Sequence, residues 1–339
     1  MTQRTRYFLL GSSLVLIVGL CTGLVAYYNG SLPLRASSVG PAELAYVPAG
    51  TTAVAFADVR QVMNSDFRKR LKQVMPTGEE KDKIQNEMGV DIERDIDTVV
   101  AGWTGTSADA KTGIVLIRGR FNQQQIESVA VQHGGVVQQY AGKKLISFKK
   151  DDQTSGTADD QTGVVAFIEP GLLACGNLGS VKAALDSATS GQNITKNSDV
   201  MKLVAELQTG STAWAVGHVE GLPAGNLPQQ AKDQLANIQW FTASLHVDGG
   251  VNGVLKAVAR DDQAAENLRD VVRGGLAAAH LMAGRDTRLD TVVNSVQVAG
   301  MGKDVTVTFN VPVEILDMLN GIAGMHNLQN NNSGGAIKK

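Results

Sequence analysis

Cysteine is nearly missing from this chain: Cys21 and Cys175 are the only two in 339 residues. No CxxC spacing exists, which excludes the usual cysteine-ligated zinc and dithiol redox motifs. Cys21 lies inside an apolar N-terminal run, so the two thiols are not placed to meet, and the fold must rest on its own core. Aromatic residues make up 5% of the chain and the formal net charge is −2. Few stacking platforms and no general basic field leave little to hold nucleic acid. The five histidines (His133, His218, His246, His280, His326) show neither HxH nor HxxxH spacing, so a histidine metal site has no support. A GxSxG elbow and an HExxH helix are absent as well. What remains is 43% apolar and 19% charged residues, the balance of a folded globular protein.

One long uncharged run is present. YFLLGSSLVLIVGLCTGLVAYY, residues 7–28, has no charged side chain. As a helix rising about 1.5 Å per residue it would span roughly 30 Å of hydrocarbon. Tyr7 and Tyr27 sit at its two ends as interfacial aromatics, with Leu16 near its middle. Arg4 and Arg6 precede it, so the positive-inside bias keeps the N-terminus cytoplasmic and sends the rest outside. Ala26-Tyr27-Tyr28-Asn29 is a poor signal-peptidase site, and Leu20 before Cys21 does not suit a lipoprotein. The sequence therefore predicts an uncleaved single-pass anchor in an inner (plasma) membrane, with the main domain periplasmic or extracellular. The expected divisions are 1–28 for the cytoplasmic stub and anchor, 29–42 for a Gly/Ser/Pro-rich tether, 43–200 and 201–324 for two folded halves, and 325–339 for a polar tail.

Both halves alternate strands and helices in a similar order. TAVAFADV (52–59) reads as a strand, 63–75 and 79–88 as helices, 98–105 and 112–120 as strands, and 122–134 as a helix capped by Asn122. Hairpins follow around AGK and EPG. In the second half TAWAVGHV (212–219) is a strand, 227–238 a helix, 240–260 a hairpin, 261–284 the longest helix, 295–311 a hairpin, and 312–324 a closing helix. Aligning 51–60 with 211–220 matches Thr52, Ala53, Ala55 and Val59 with Thr212, Ala213, Ala215 and Val219. Aligning 113–123 with 253–263 matches Gly113, Arg120 and Gln123 with Gly253, Arg260 and Gln263. The repeated order predicts an α+β fold: duplicated ferredoxin-like (βαββαβ) modules with an antiparallel sheet and helices on one face, preceded by one transmembrane helix.

Several stretches invite chemistry. GLLACGNLGSVKAALDSATSG (171–191) places a lone cysteine and a glycine-bearing turn between a strand and a helix. That corner recurs at 56–70, 114–132, 255–275 and 305–322 with other turn residues, which makes it an architectural joint, and it lacks the GK[ST] ending of a phosphate loop. His218 and His246 occupy strand positions that could meet across a sheet. Asp58 and Asp248 lie near strand ends, where acid pairs occur. KKDDQTSGTADDQTG (149–163) lacks the ligand ladder of an EF-hand, and Asn193 and Asn331 open glycosylation sequons. None of these supports a catalytic, cofactor or metal site. VVRGGLAAAHLMAG (271–284) is a smooth apolar stretch on the long helix. Its Leu276, His280, Leu281 and Met282 form the candidate surface for a ligand or partner.

The opening PAELAYVPAGTTAVAFADVRQVM and the segment LLACGNLGSVKAALD resemble uncharacterised bacterial membrane-anchored envelope proteins with a Tyr-Val-Pro-Ala-x-Thr opening. The resemblance spans most of 43–320, and its motifs are short and structural. It implies an exported location, a bacterial envelope and a repeated α+β build, and it carries no catalytic residues. The functional expectation is a non-enzymatic, membrane-anchored envelope protein. It would meet the lipid bilayer through its N-terminal helix and an envelope partner through its exported domain. A periplasmic lipid or small-hydrophobe binder is the second reading, and a hydrolase whose residues meet only in the fold is the third.

Overall fold

The computed structural model describes residues 40–74, 90–104, 112–149, 162–219, 234–283 and 287–314. The anchor run with Tyr7, Leu16 and Tyr27, most of the tether, the 79–88 helix, most of the acidic 149–163 loop, most of the 227–238 helix, most of the closing helix, His326, Asn331 and the tail lie outside them. Among the described residues no helix is long and apolar enough to cross a membrane.

Apolar runs with β-branched residues at period two form strands here, and all of them join one sheet. The strands are β1 (Ala53–Asp58), β2 (Ile96–Thr104), β3 (Thr112–Gly119), β4 (Val136–Tyr140), β5 (Lys143–Lys149) and β6 (Thr162–Glu169). They continue with β7 (Leu172–Asn177), β8 (Ala213–His218), β9 (Ile238–Val247), β10 (Gly250–Ala259), β11 (Gln297–Ala299) and β12 (Asp304–Pro312). Their order is β11-β12-β10-β9-β8-β1-β2-β3-β7-β6-β5-β4, and every pairing is antiparallel. The fold is α+β with one large antiparallel sheet. The ferredoxin-like order requires a strand inserted between the first two of each module; here β1 and β2 are direct antiparallel neighbours. Local patterning names strands but not their neighbours, and these are chosen by contacts far apart in sequence.

Eight helices are described: α1 (Val59–Asn64), α2 (Asp66–Val74), α3 (Ile92–Asp95), α4 (Gln123–Gln132), α5 (Leu178–Ser190), α6 (Ser198–Ala205), α7 (Asp262–Ala283) and α8 (Thr287–Ser295). Four of them start at strand-to-helix corners that share one device. Asp58, Asn122, Asn177 and Asp261 each accept a hydrogen bond from the backbone N–H three residues on, at Gln61, Gln125, Ser180 and Ala264. An Asx side chain in extended conformation satisfies an N–H that the first helical turn leaves orphaned, which stabilises by about 1 kcal/mol each. The corner turns sharply because the cap is the last residue of the strand or within three residues of it.

Side chains alternate across the sheet, so the register sorts them into two faces. One carries Val54, Val100, Ile114, Leu116, Leu145, Ala166, Ala174, Trp214 and Val216. It packs against Leu44 and Val47 of a 3-10 turn at Ala42–Tyr46, against Val181, Ala184 and Leu185 of α5, and against Val200 and Val204 of α6. The opposite face carries Phe167 and Leu173, which meet Ile126 of α4 and Val90. The first half is thus covered on both faces, where one was expected. In the second half the same alternation puts Thr242, Ser244, Lys256, Thr306 and Thr308 on the first face together with Trp240, Val254 and Val258, a more polar face than in the first half, with Ser244 buried.

The two halves join where β1 pairs with β8. Ala55 faces Ala215, Ala57 faces Ala213 and Ala53 faces Gly217. The three alanines of β1 are buried, as is Ala213, and the backbones run close. A Cβ on Gly217 would lie 2.5 Å from Ala53 Cα and Cβ and 2.6 Å from Thr52 O. Backbone on both sides cannot yield cheaply, so Gly217→Val should destabilise by about 2–3 kcal/mol in urea unfolding. Gly249→Val, a turn position with nothing within 4 Å of its added Cβ, should cost much less. Equal losses would contradict a close seam.

Candidate functional site

The densest polar constellation among the described residues lies where the chain enters the fold. Arg118, near the end of β3, pairs through Nε with the buried carboxylate of Glu43 and through Nη2 with Glu169 Oε2 at 3.2 Å. Tyr46 donates its hydroxyl to Glu169 Oε1 at 2.5 Å. Burial and that bond push the Tyr46 phenol up to about 12. The same bond, with Arg118 behind it, holds Glu169 below the usual carboxylate range against the pull of desolvation. Partial burial works against the Arg118 guanidinium, but Glu43 and Glu169 together raise its pKa. Every group here is committed to another. The cluster therefore ties the 3-10 turn to the ends of β3 and β6.

The Tyr46-Val47-Pro48-Ala49-Gly50-Thr51 stretch continues this attachment. Val47 O accepts from Ile194 N at 2.7 Å, Pro48 bridges Asn193, and Ala49 O accepts from Asn197 Nδ2 at 3.3 Å. Thr51 Oγ1 lies 3.4 Å from Thr104 Oγ1. Asn193 is itself buried, and its Oδ1 is held by the Thr195 hydroxyl at 2.6 Å. In the folded chain this sequon is closed to glycosylation.

The other sequence candidates are also structural. Cys175 faces Val115 on β3 and Val165 on β6, and burial alone pushes its thiol up to about 12. Burial of this kind holds the thiol in its neutral form, whereas the thiolate is the form that attacks or ligates. Asn177, two residues on, is the cap of α5, so the GNLGS turn is a helix start. His218 and His246 do sit on paired strands, but at opposite ends of the ladder. His218 faces Trp240 with ring centroids 3.5 Å apart, and His246 Nδ1 lies 3.2 Å from Gly210 O. Asp58 is occupied as the α1 cap. Burial raises its carboxyl, against the two backbone bonds that lower it, and Asp97 adds to the rise. Asp248 uses its backbone carbonyl to hold Phe67 N at 2.9 Å. No group of His, Cys, Asp and Glu able to hold a metal occurs among the described residues.

What is left is the long helix. The start of α7 is bound down: Ala264 and Ala265 are buried, and the buried Arg269 donates through Nη1 to Asp304 O at 2.8 Å and Gly302 O at 3.3 Å. Beyond Arg269 the helix turns outward. Val271 is 52% exposed and Leu281 86% exposed; Gly274 and Gly275 have nothing within 4 Å of an added Cβ. The four residues singled out in the sequence do not share one face. Leu276 is half-buried, and exposed His280 places Nδ1 3.4 Å from Asp290 Oδ1 of α8. Leu281 is about 100° further round the helix and faces solvent. Met282 is in the helix, and its side chain lies outside the described residues. Val271 is not among the residues that the sequence singles out, and it lies about 80° round the helix from Leu281.

Comparison of the chain with protein-family models, with curated proteins and with solved structures finds no match. No family is assigned.

Arg118→Met leaves Glu43 buried without its counter-charge and should cost about 3 kcal/mol in urea unfolding, part of which Glu43→Gln restores. Tyr46 gives a pH signature. Its folded pKa is raised, so its contribution is complete below the unfolded value of 10.0 and is lost as the pH climbs towards about 12. Tyr46→Phe should remove the slowest-ionising phenol from an ultraviolet titration and flatten the stability loss in that window. An unchanged titration would contradict the buried hydrogen bond.

Proposed function

We propose that the chain is a non-enzymatic, membrane-anchored cell-envelope protein whose exported α+β domain is an interaction module. The observation that carries this reading is the outward part of α7, a helix fixed to the sheet through Ala264, Ala265 and Arg269, with Val271 exposed beyond that anchor and Leu281 exposed near its far end. Apolar side chains exposed on a fixed helix, beside the open surface at Gly274 and Gly275, offer a partner an apolar surface to cover. The polar clusters, by contrast, are spent on caps and clamps. Placement in an inner membrane rests on the uncharged run of 7–28 and the arginines before it.

The duplication belongs to this proposal, without the ferredoxin-like strand order. The sequence alignment sets Ala55 against Ala215, and those two residues face each other at the centre of the β1–β8 ladder. Ala53 then faces the counterpart of Ala57, and Ala57 that of Ala53, the relation a two-fold axis between halves produces. The alignment also sets Leu116 against Lys256. These lie on β3 and β10, each the third strand out from the seam. Val100 faces Leu116 and Thr242 faces Lys256, so the second strands out correspond as well. The β4–β5 hairpin has no counterpart strands in the second half among the described residues.

A photo-crosslinking residue at Leu281 of the full chain, in cells, should yield a discrete protein adduct, and one at the exposed Lys69 should not. Val271→Asp with Leu281→Asp should abolish partner capture from a second crosslinking position at Gly275, at a stability change within about 0.5 kcal/mol. Equal labelling at Leu281 and Lys69 would sink the reading, and an adduct of lipid mass would move it to a lipid-binding surface.

A further inference from the structure

We infer that the β4 edge of the sheet is a self-association surface, and that its occupant is the β4 strand of a second copy of this chain. The inference is independent of the α7 surface. β4 ends the sheet, with β5 as its one paired neighbour among the described residues. An open edge offers a row of unpaired backbone groups, and monomeric proteins blunt such edges with charge, proline, bulges or shortness. The two ends of this sheet differ in that respect. The far edge, β11, is three residues long. β4 is Val-Val-Gln-Gln-Tyr, with no charge and no proline, and it pairs with β5 without a register shift. Val136 is 67% exposed and Val137 47% exposed.

The hairpin geometry fixes which groups face outward. Tyr140 pairs with Lys143 across a two-residue turn in which Ala141 and Gly142 have φ of 49° and 73°, the left-handed pair of a type I′ turn. The residues flanking such a turn exchange both hydrogen bonds, and bonding alternates from there along an antiparallel ladder. Val136, Gln138 and Tyr140 thus bond to β5, while Val137 and Gln139 turn their N–H and C=O groups outward. Gly135 N is held by Ala130 O at 3.0 Å, which ends the free row.

Those outward groups are symmetric about Gln138. Two copies related by a two-fold axis at Gln138 set Val137 opposite Gln139 of the partner and Gln139 opposite its Val137, so every free group of the row is paired. The same register lays the exposed Val136 beside the partner's Tyr140, an aromatic against a β-branched residue in the closer, non-bonded pair. An uncharged strand carries no self-repulsion. The contact is isologous and the opposite edge is short, so assembly closes at two copies instead of growing into a fibre.

The test uses the full chain with Cys21→Ala and Cys175→Ala. Gln138→Cys places two thiols across the axis within disulfide reach, so mild oxidation in membranes should give a linked dimer. Gln139→Cys, whose mate is displaced diagonally by roughly 7–8 Å, should not. Adding Val137→Pro removes an outward N–H that the monomer does not use. It should lower the Gln138→Cys dimer roughly tenfold or more at an unchanged circular dichroism spectrum. Equal linkage at 138 and 139 would overturn the proposal, as would linkage of Gln138→Cys only to other proteins. If the cysteine variants misfold, light scattering decides: the unmodified chain should be a dimer and Val137→Pro a monomer. A monomeric unmodified chain overturns it too.

Discussion

The architecture depends on one backbone pairing, β1 against β8. These strands begin the two halves, and their ladder turns what would be two sheets into one. One face of the seam carries only small residues, Ala53, Ala55, Ala57, Ala213, Ala215 and Gly217. Small residues contribute little apolar area each. The hydrophobic term here comes instead from the neighbouring face, where Val54, Trp214 and Val216 enter the same core as Leu44, Leu116 and Leu145. A core that crosses the seam makes separate unfolding of either half costly, since it would expose apolar surface at about 25 cal/mol per Å².

Two further devices hold the helices and the chain entry to that sheet. The four Asx caps settle where their helices start after a strand, and they fix those corners without a long loop. The Glu43–Arg118–Glu169–Tyr46 cluster does for the entering segment what a cap does for a helix, by giving buried polar groups complete partners. A half-satisfied cluster at this site would be costlier than an apolar one. Its completeness is the reason to read it as an attachment. The functional reading moves accordingly from buried chemistry to exposed surface.

Much of this was legible in the sequence, and the failures have a common cause. β1, β3, β7 and β8 were readable within about two residues at each end, the β4–β5 and β9–β10 hairpins from their turns, and the Asn122 cap from its position. The recurring corner is legible in the sequence, but its shared Asx residue is masked by the different turn residues around it. Strand neighbours were not readable, since whether β1 lies beside β2 or β3 turns on packing across tens of residues. The Arg118 cluster was invisible for the same reason: two of its members, Tyr46 and Glu169, are separated by 123 residues. On α7, composition marked an apolar stretch. Only the bonding of Arg269 to Gly302 and Asp304 shows which part is fixed and which is presented.

The most direct test of a single cooperative sheet is amide hydrogen exchange of the full chain under native conditions, resolved to individual strands. A continuous seam predicts that β1 and β8 exchange together, among the slowest amides, with a free energy matching global unfolding. Protection retained in the first half after the amides of β8, β9 and β10 have exchanged would show two separable units and contradict the account.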